Sequence, residues 1–132
     1  MFMIVDDDAE DRDLFVEALH DIDSSIKCAT AANGEEALEW LENMEHQLPD
    51  IIFLDLNMPR LNGRQSLRAL KKDRRFRNIP VIIYTTSKRP EDVEEMKMLG
   101  AVDFITKPSS YSEICKVISN SMMYIFSSGS KR

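Results

Sequence analysis

Cysteine is scarce in this sequence: only Cys28 and Cys115 occur, far apart and without C-x-x-C spacing, which excludes a disulfide framework and a thiolate zinc site. A reducing cytosol is the setting this implies. Basic charge is also in short supply. Seventeen Lys and Arg stand against 23 Asp and Glu, a formal net charge of -6, which argues against nonspecific nucleic-acid binding, because phosphate backbones attract basic surfaces. A local basic patch stays open. No apolar run approaches the roughly 20 residues that a membrane-spanning helix needs, and no basic segment with a long apolar stretch opens the chain. The expected location is the cytoplasm, without membrane contact. Internal repeats, low-complexity segments and a linker to an output module are likewise missing.

What is present suits one globular domain. The chain has 132 residues, 43% hydrophobic and 30% charged, enough for a single core of moderate size. Phe2 to Val5 is a short apolar run that stops at Asp6-Asp7-Asp8, as a buried strand opening into acid would. Leu14, Phe15, Ala18, Leu19 and Ile22 then recur at helical spacing over Glu10 to Ile22. Ile26 to Ala32 reads as a second strand. Asn33 supplies an N-cap for a helix that Ala37, Trp40, Leu41 and Met44 keep in period. Ile51 to Leu54 is apolar throughout and stops at Asp55; a helix over about Arg64 to Lys72 follows. Val81 to Tyr84 stops at Thr85, Thr86 and Ser87, and Pro90 starts a helix that Gly100 closes. Asp103 to Thr106 is the last strand before Lys107-Pro108. Ser110 and Glu113 have capping-box spacing, and Ile114, Val117, Ile118, Met122 and Ile125 mark the inward face of a final helix. The expected domain covers residues 1–126, with 127–132 as a flexible tail.

Strand and helix alternate about five times without long loops, which calls for a parallel sheet with helices on both faces, a doubly wound α/β fold. In such folds ligands bind beyond the C-terminal ends of the strands. Asp6, Asp7, Asp55, Thr85 and Lys107 all follow strand ends, so residues remote in sequence can meet there. Carboxylates gathered in one place repel one another and raise their own pKa values unless a cation neutralises them. A hard divalent ion such as Mg²⁺ suits an all-oxygen donor set. With Lys107 as a mobile positive charge and Thr85 as a hydroxyl donor, the cluster is a receptor for a transferred phosphoryl group.

Four segments carry a family likeness in order: Ile4-Val-Asp-Asp7, Phe53-Leu-Asp-Leu-Asn-Met-Pro59 with Gly63, Val81-Ile-Ile-Tyr-Thr-Thr86, and Phe104-Ile-Thr-Lys-Pro108. With these the chain resembles the response-regulator receiver domains of two-component systems, from about Phe2 to Phe126. The resemblance implies a flavodoxin-like, five-stranded parallel sheet of order 2-1-3-4-5. It implies that Asp55 is the phosphoacceptor, attacking the phosphorus of a phosphohistidine on a sensor histidine kinase or phosphotransfer protein. Asp7 and Asp55 would bind Mg²⁺ directly with the Asn57 backbone carbonyl, and Asp6 mainly through water. Lys107 would pair with the phosphoryl oxygens. Thr85 would swing inward to hydrogen-bond one of them, with Phe104 turning inward as the aromatic switch. A register shift by one residue would promote Asp8 to metal ligand. Phe104 lacks the hydroxyl of the Tyr often found in the family, Thr86 is bulkier than usual, and Lys107-Pro108 is a candidate cis bond. Asn57 and Ser87 occupy positions that influence autodephosphorylation in the family.

The readout surface implied is the fourth helix, fifth strand and fifth helix, roughly Glu91 to Phe126, facing an unidentified downstream protein. No DNA-binding domain is expected. The protein is read as a phosphoacceptor switch that catalyses only its own phosphorylation and dephosphorylation. Two rival readings stand beside this one. An aspartate-nucleophile phosphatase of the haloacid dehalogenase kind would carry its nucleophile after the first strand, with a second acid two residues on, whereas Asp55 follows the third and its second neighbour is Asn57. A flavodoxin-like binding module would need a phosphate-cradling loop where three acids stand, and a phosphorylation-independent receiver would have lost a key side chain. The basic run Lys71, Lys72, Arg74, Arg75 and Arg77 reads as a solvated helix C-terminus, and His20 and His46 as surface residues. Met122, Met123, Tyr124, Ile125 and Phe126 are too apolar for one buried face; a partner, a second copy of the chain or a folded-back tail could cover them.

Overall fold

The structure, a computed structural model, describes residues 1–43, 45 and 47–129, with the side chains of Tyr124 and residues 126–129 outside the description. Met44, His46 and residues 130–132 of the expected tail lie outside the described residues. Ten elements alternate: β1 (Phe2–Val5), α1 (Ala9–Ile22), β2 (Cys28–Ala31), α2 (Gly34–Glu42), β3 (Ile51–Leu54), α3 (Gly63–Lys72), β4 (Val81–Thr85), α4 (Pro90–Met98), β5 (Asp103–Thr106) and α5 (Tyr111–Gly129). The strands form one sheet in the order β2-β1-β3-β4-β5, every neighbouring pair parallel. The expected doubly wound architecture and strand order are both present.

Strand alternation divides the core in two. Met3, Val5, Ile52, Leu54, Val81 and Ile83 point to the side covered by α2, α3 and α4, where Leu41, Leu67, Leu70 and Met96 meet them. Phe2, Ile4, Ile51, Phe53, Ile82 and Tyr84 point to the other side, against Phe15 and Leu19 of α1 and Ile114, Ile118 and Met122 of α5. Phe53 sits at the centre of that second layer, its ring 4.8 Å from Phe15 and 5.8 Å from Tyr84. Truncating a Phe packed in this way costs about 3–5 kcal/mol. The inward face expected for α5 is therefore the face it buries.

Local chemistry places the ends. Asn33 caps α2 by accepting from the Glu36 amide, and Asn62 forms a reciprocal capping box with Gln65 at α3. Gly100 closes α4 at φ 109°, a left-handed conformation that a side chain would strain. β2 is shorter than the sequence suggests, because the Ile26 amide turns back to the Asp23 carbonyl instead of joining the ladder. α5 runs on to Gly129, past Phe126, where the domain was expected to end. Among the described residues no peptide bond is cis, so Lys107-Pro108 is trans here, against the cis geometry entertained from sequence.

The basic run that ends α3 and continues beyond it is less uniform than a solvated terminus. Lys72, Arg74 and Arg77 are exposed, but Lys71 folds back to give its ammonium to the carbonyls of Arg77 (3.0 Å) and Ile79 (3.2 Å). Partial burial lowers its pKa. Arg75 pairs with Asp73 and Glu42 and lies over the Phe76 ring.

Candidate functional site

Three strand ends deliver the site, and each is held by a ladder bond one residue beyond its strand. The Asp6 amide donates to Ala31 O (3.0 Å), the Asp55 amide to Val5 O (3.0 Å) and the Lys107 amide to Thr85 O (2.7 Å). Backbone fixed in this way leaves little freedom to the side chains that follow it. α3 tightens the same corner, since a Cβ built on Gly63 would stand 2.4 Å from Asp55 O and 2.7 Å from the Leu56 Cα. Only glycine permits so close an approach. Arg60 and Leu61 just before it take left-handed φ values of 50° and 70°, so the β3–α3 loop carries backbone strain.

Asp6, Asp7 and Asp55 each offer a carboxylate oxygen, and these oxygens lie within 4.8 Å of one another. Asp6 and Asp55 are buried, whereas Asp7 is exposed. The Lys107 ammonium sits among the carboxylates, 2.7 Å from Asp6 Oδ2, 2.8 Å from Asp11 Oδ2 and 3.4 Å from Asp55 Oδ2. The contact to Asp6 is a close ion pair whose geometry is not that of a hydrogen bond, leaving Asp6 Oδ2 buried with no hydrogen-bond partner among the described residues. Burial pushes the Asp6 carboxyl up to about 6, only partly countered by Lys107 and the Asp8 amide. Burial pulls the Lys107 ammonium the other way, but Asp11, Asp6 and Asp55 outweigh it and hold the pKa above that of an ordinary lysine.

Asp8 stands apart from this cluster. Its Oδ1 accepts from the Glu10 (3.0 Å) and Asp11 (3.2 Å) amides as the N-cap of α1. The acid triplet is thus divided between a cluster, Asp6 and Asp7, and a cap, Asp8. The Asn57 amide reaches Asp55 Oδ1 at 3.4 Å, a long contact. Thr85 ends β4 fully buried, and its Oγ1 has no hydrogen-bond partner among the described residues. A buried hydroxyl without a partner is costly and marks a donor in reserve. Phe104 is half-buried against the layer that faces α2, α3 and α4.

Two features escaped sequence reading. Asp11, on the first turn of α1, holds Lys107 as closely as Asp6 does; its only sequence signal was an acid among other charges. The second lies beside the site, where Arg64 of α3 bonds Asp92 (2.6 Å) and Glu95 (2.6 Å) of α4. Asp92 in turn accepts from Ser87 Oγ at 2.6 Å, and Thr106 Oγ1 donates to Ser87 O at 3.0 Å. The β4–α4 loop, which follows Thr85, is tied by these bonds to α4 and to β5.

An oxygen-only donor set, a buried carboxylate oxygen without a hydrogen bond among the described residues and a carboxyl pushed toward neutrality together fit a hard divalent cation. The family model described as the response regulator receiver domain matches residues 2–119. A solved structure of a phosphorylated cyanobacterial phytochrome response regulator, RcpA, superposes with a TM-score of 0.86 at 29% identity, covering 96% of this chain and 94% of that one. The Mn²⁺-bound response regulator Rcp1 superposes with a TM-score of 0.76 at 28% identity, covering 90% and 88%. Among curated proteins, protein-glutamate methylesterase/protein-glutamine glutaminase 6 of Anaeromyxobacter dehalogenans is 39% identical over 106 residues, which are 80% of this chain and 29% of that protein. The chain therefore spans less than a third of that relative's length.

Proposed function

The chain belongs to the response-regulator receiver family of two-component systems, and from that membership we propose that it takes a phosphoryl group onto Asp55 from a histidine kinase or phosphotransfer protein in a Mg²⁺-dependent reaction. The observation that carries this reading is the meeting of one ammonium, Lys107, with Asp6 and Asp55 at the ends of separate strands. A carboxylate oxygen of Asp55 attacks the phosphorus; the new bond is O–P, the bond broken is P–N of the donor phosphohistidine, and the imidazole leaves. Lys107 neutralises charge on the phosphoryl oxygens. Thr85 Oγ1, buried and without a hydrogen-bond partner among the described residues, supplies a hydrogen bond to one of them.

Asp6, Asp7, Asp55 and the Asn57 backbone carbonyl are the residues that would hold Mg²⁺, Asp6 mainly through water. When bound, the ion offsets the carboxylate charge and orients the phosphoryl oxygens. The Mn²⁺ in the related Rcp1 structure supports a divalent ion here.

Phosphorylation then biases a two-state equilibrium. Thr85 moves toward the phosphoryl group, Phe104 turns inward, and the face made by α4, β5 and α5 changes its affinity for a downstream protein. Exposed Met98, Val102 and Met123 on that face supply apolar contacts for such a partner or for a second copy of the chain. The protein acts as a switch rather than as an enzyme on a separate substrate. Among the described residues no helix is long and apolar enough to cross a membrane, which is compatible with a cytoplasmic setting. The test is Asp55→Asn: labelling by acetyl phosphate is abolished while the circular dichroism spectrum and melting transition remain. Persistent labelling of the folded variant would refute the assignment.

A further inference from the structure

Lys107 has a third carboxylate partner, and this one lies outside the cluster suited to a cation. Asp6, Asp7 and Asp55 group together; Asp11 does not belong to that trio, yet its Oδ2 is 2.8 Å from the ammonium. The two residues are 96 apart in sequence, brought together by the first turn of α1 and the end of β5. On the Asp11 side a crevice of about 240 Å³ opens between α1 and the start of α5, lined by Asp11, Leu14, Tyr84, Lys107 and Tyr111 among others. The ammonium therefore stands between Asp6 and Asp55 of the cluster and Asp11 beside open space. Asp6 at 2.7 Å and Asp11 at 2.8 Å hold the ammonium more closely than Asp55 at 3.4 Å, and Asp11 alone of these holds it from outside the trio.

We propose that Asp11 is a positioning residue that draws Lys107 away from Asp55 and competes with the incoming phosphoryl group for its ammonium, so setting the affinity for anionic phosphodonors. This rests on the assignment of Asp55 as phosphoacceptor. A cation held by Asp6, Asp7 and Asp55 offsets the charge of those three carboxylates, while Asp11 keeps its own and its grip on Lys107. A phosphoryl oxygen must then displace Asp11 to reach the ammonium. The Asp11 side chain is 33% exposed, so solvent screens the pair and the competition is of moderate strength.

The experiment measures initial labelling rates of the full chain against acetyl phosphate concentration at saturating Mg²⁺, for wild type, Asp11→Asn and Asp11→Glu. Beryllofluoride affinity is measured in parallel. For Asp11→Asn the half-saturating donor concentration and the beryllofluoride dissociation constant fall by about three- to tenfold, the scale of one partly screened ion pair, while the limiting rate stays near wild type. Asp11→Glu, which restores the charge, returns both toward wild type. Asp11 also lies in the acid-favouring first turn of α1, and a residue serving only that role would lower thermal stability without moving either affinity. A half-saturating concentration that is unchanged or raised in Asp11→Asn overturns the inference alone. Labelling of Asp55→Asn in the same assay overturns the underlying assignment and the inference with it.

Discussion

Two groups of buried and half-buried acids lie at the same edge of the sheet, and their charges are met in opposite ways. Around Lys107 the carboxylates of Asp6, Asp55 and Asp11 share one ammonium. Around Arg64, Asp92 and Glu95 share a guanidinium, and Ser87 completes Asp92 with a hydroxyl. Each carboxylate oxygen of Asp92 has a donor at 2.6 Å, whereas Asp6 Oδ2, though 2.7 Å from the Lys107 ammonium, has no hydrogen bond among the described residues, and its carboxyl is pushed up to about 6. The satisfied group holds α3, α4 and the β4–α4 loop together. The unsatisfied one keeps a deficit of positive charge that a divalent cation can fill, which is what a site has and a brace does not.

The largest effect expected from breaking this contrast is at its lone ammonium. Lys107→Ala slows labelling by acetyl phosphate by about 10²-fold or more, the scale for losing one charged donor to a developing phosphoryl charge. Its melting temperature without metal drops and is regained on adding Mg²⁺, as two thermal scans would show. On the braced side, Asp92→Ala strips Arg64 and Ser87 of their shared partner and costs about 1–3 kcal/mol in urea denaturation, with labelling left intact. Loss of labelling in that folded variant would mean that the two groups are not separable.

A pH titration sharpens the comparison further. The Asp6 carboxyl lies at about 6 in the folded protein against an ordinary 3.8, so its protonated form is favoured by folding. Its stabilising contribution is fully present below 3.8 and is lost as the pH rises through about 6 in the absence of metal. Mg²⁺ needs the ionised form, so its affinity weakens below pH 6 with a slope approaching about tenfold per pH unit, measurable by calorimetry. The smallest effect concerns Asp8: Asp8→Ala costs about 1 kcal/mol of stability through the lost cap and leaves Mg²⁺ affinity unaltered. A large loss of Mg²⁺ binding in Asp8→Ala would shift the metal register by one residue.

The strands and the acid cluster could be read from sequence for one shared reason. In a parallel sheet buried on both faces, each strand is an apolar run, and the run stops where the backbone reaches the ligand-binding edge; Val5, Leu54 and Tyr84 mark those stops by composition alone. Asp11 gave no such mark, because one acid in the first turn of a charged helix looks like a dipole partner until the fold brings Lys107 to it. The Arg64–Asp92–Glu95 group was hidden for the same reason. Its pairing depends on how α3 and α4 lie against each other, which helical periodicity does not encode. Lys71 was misread as solvated because its carbonyl partners, those of Arg77 and Ile79, come from a turn whose path the sequence leaves open.

The central claim is best tested by locating the phosphoryl group chemically. After incubation with acetyl phosphate and Mg²⁺, borohydride reduction turns an aspartyl phosphate into homoserine, and peptide mass mapping finds the position. The account predicts conversion at Asp55 that disappears when Mg²⁺ is chelated. Conversion at Asp6, Asp7 or Asp11 with none at Asp55 would contradict it.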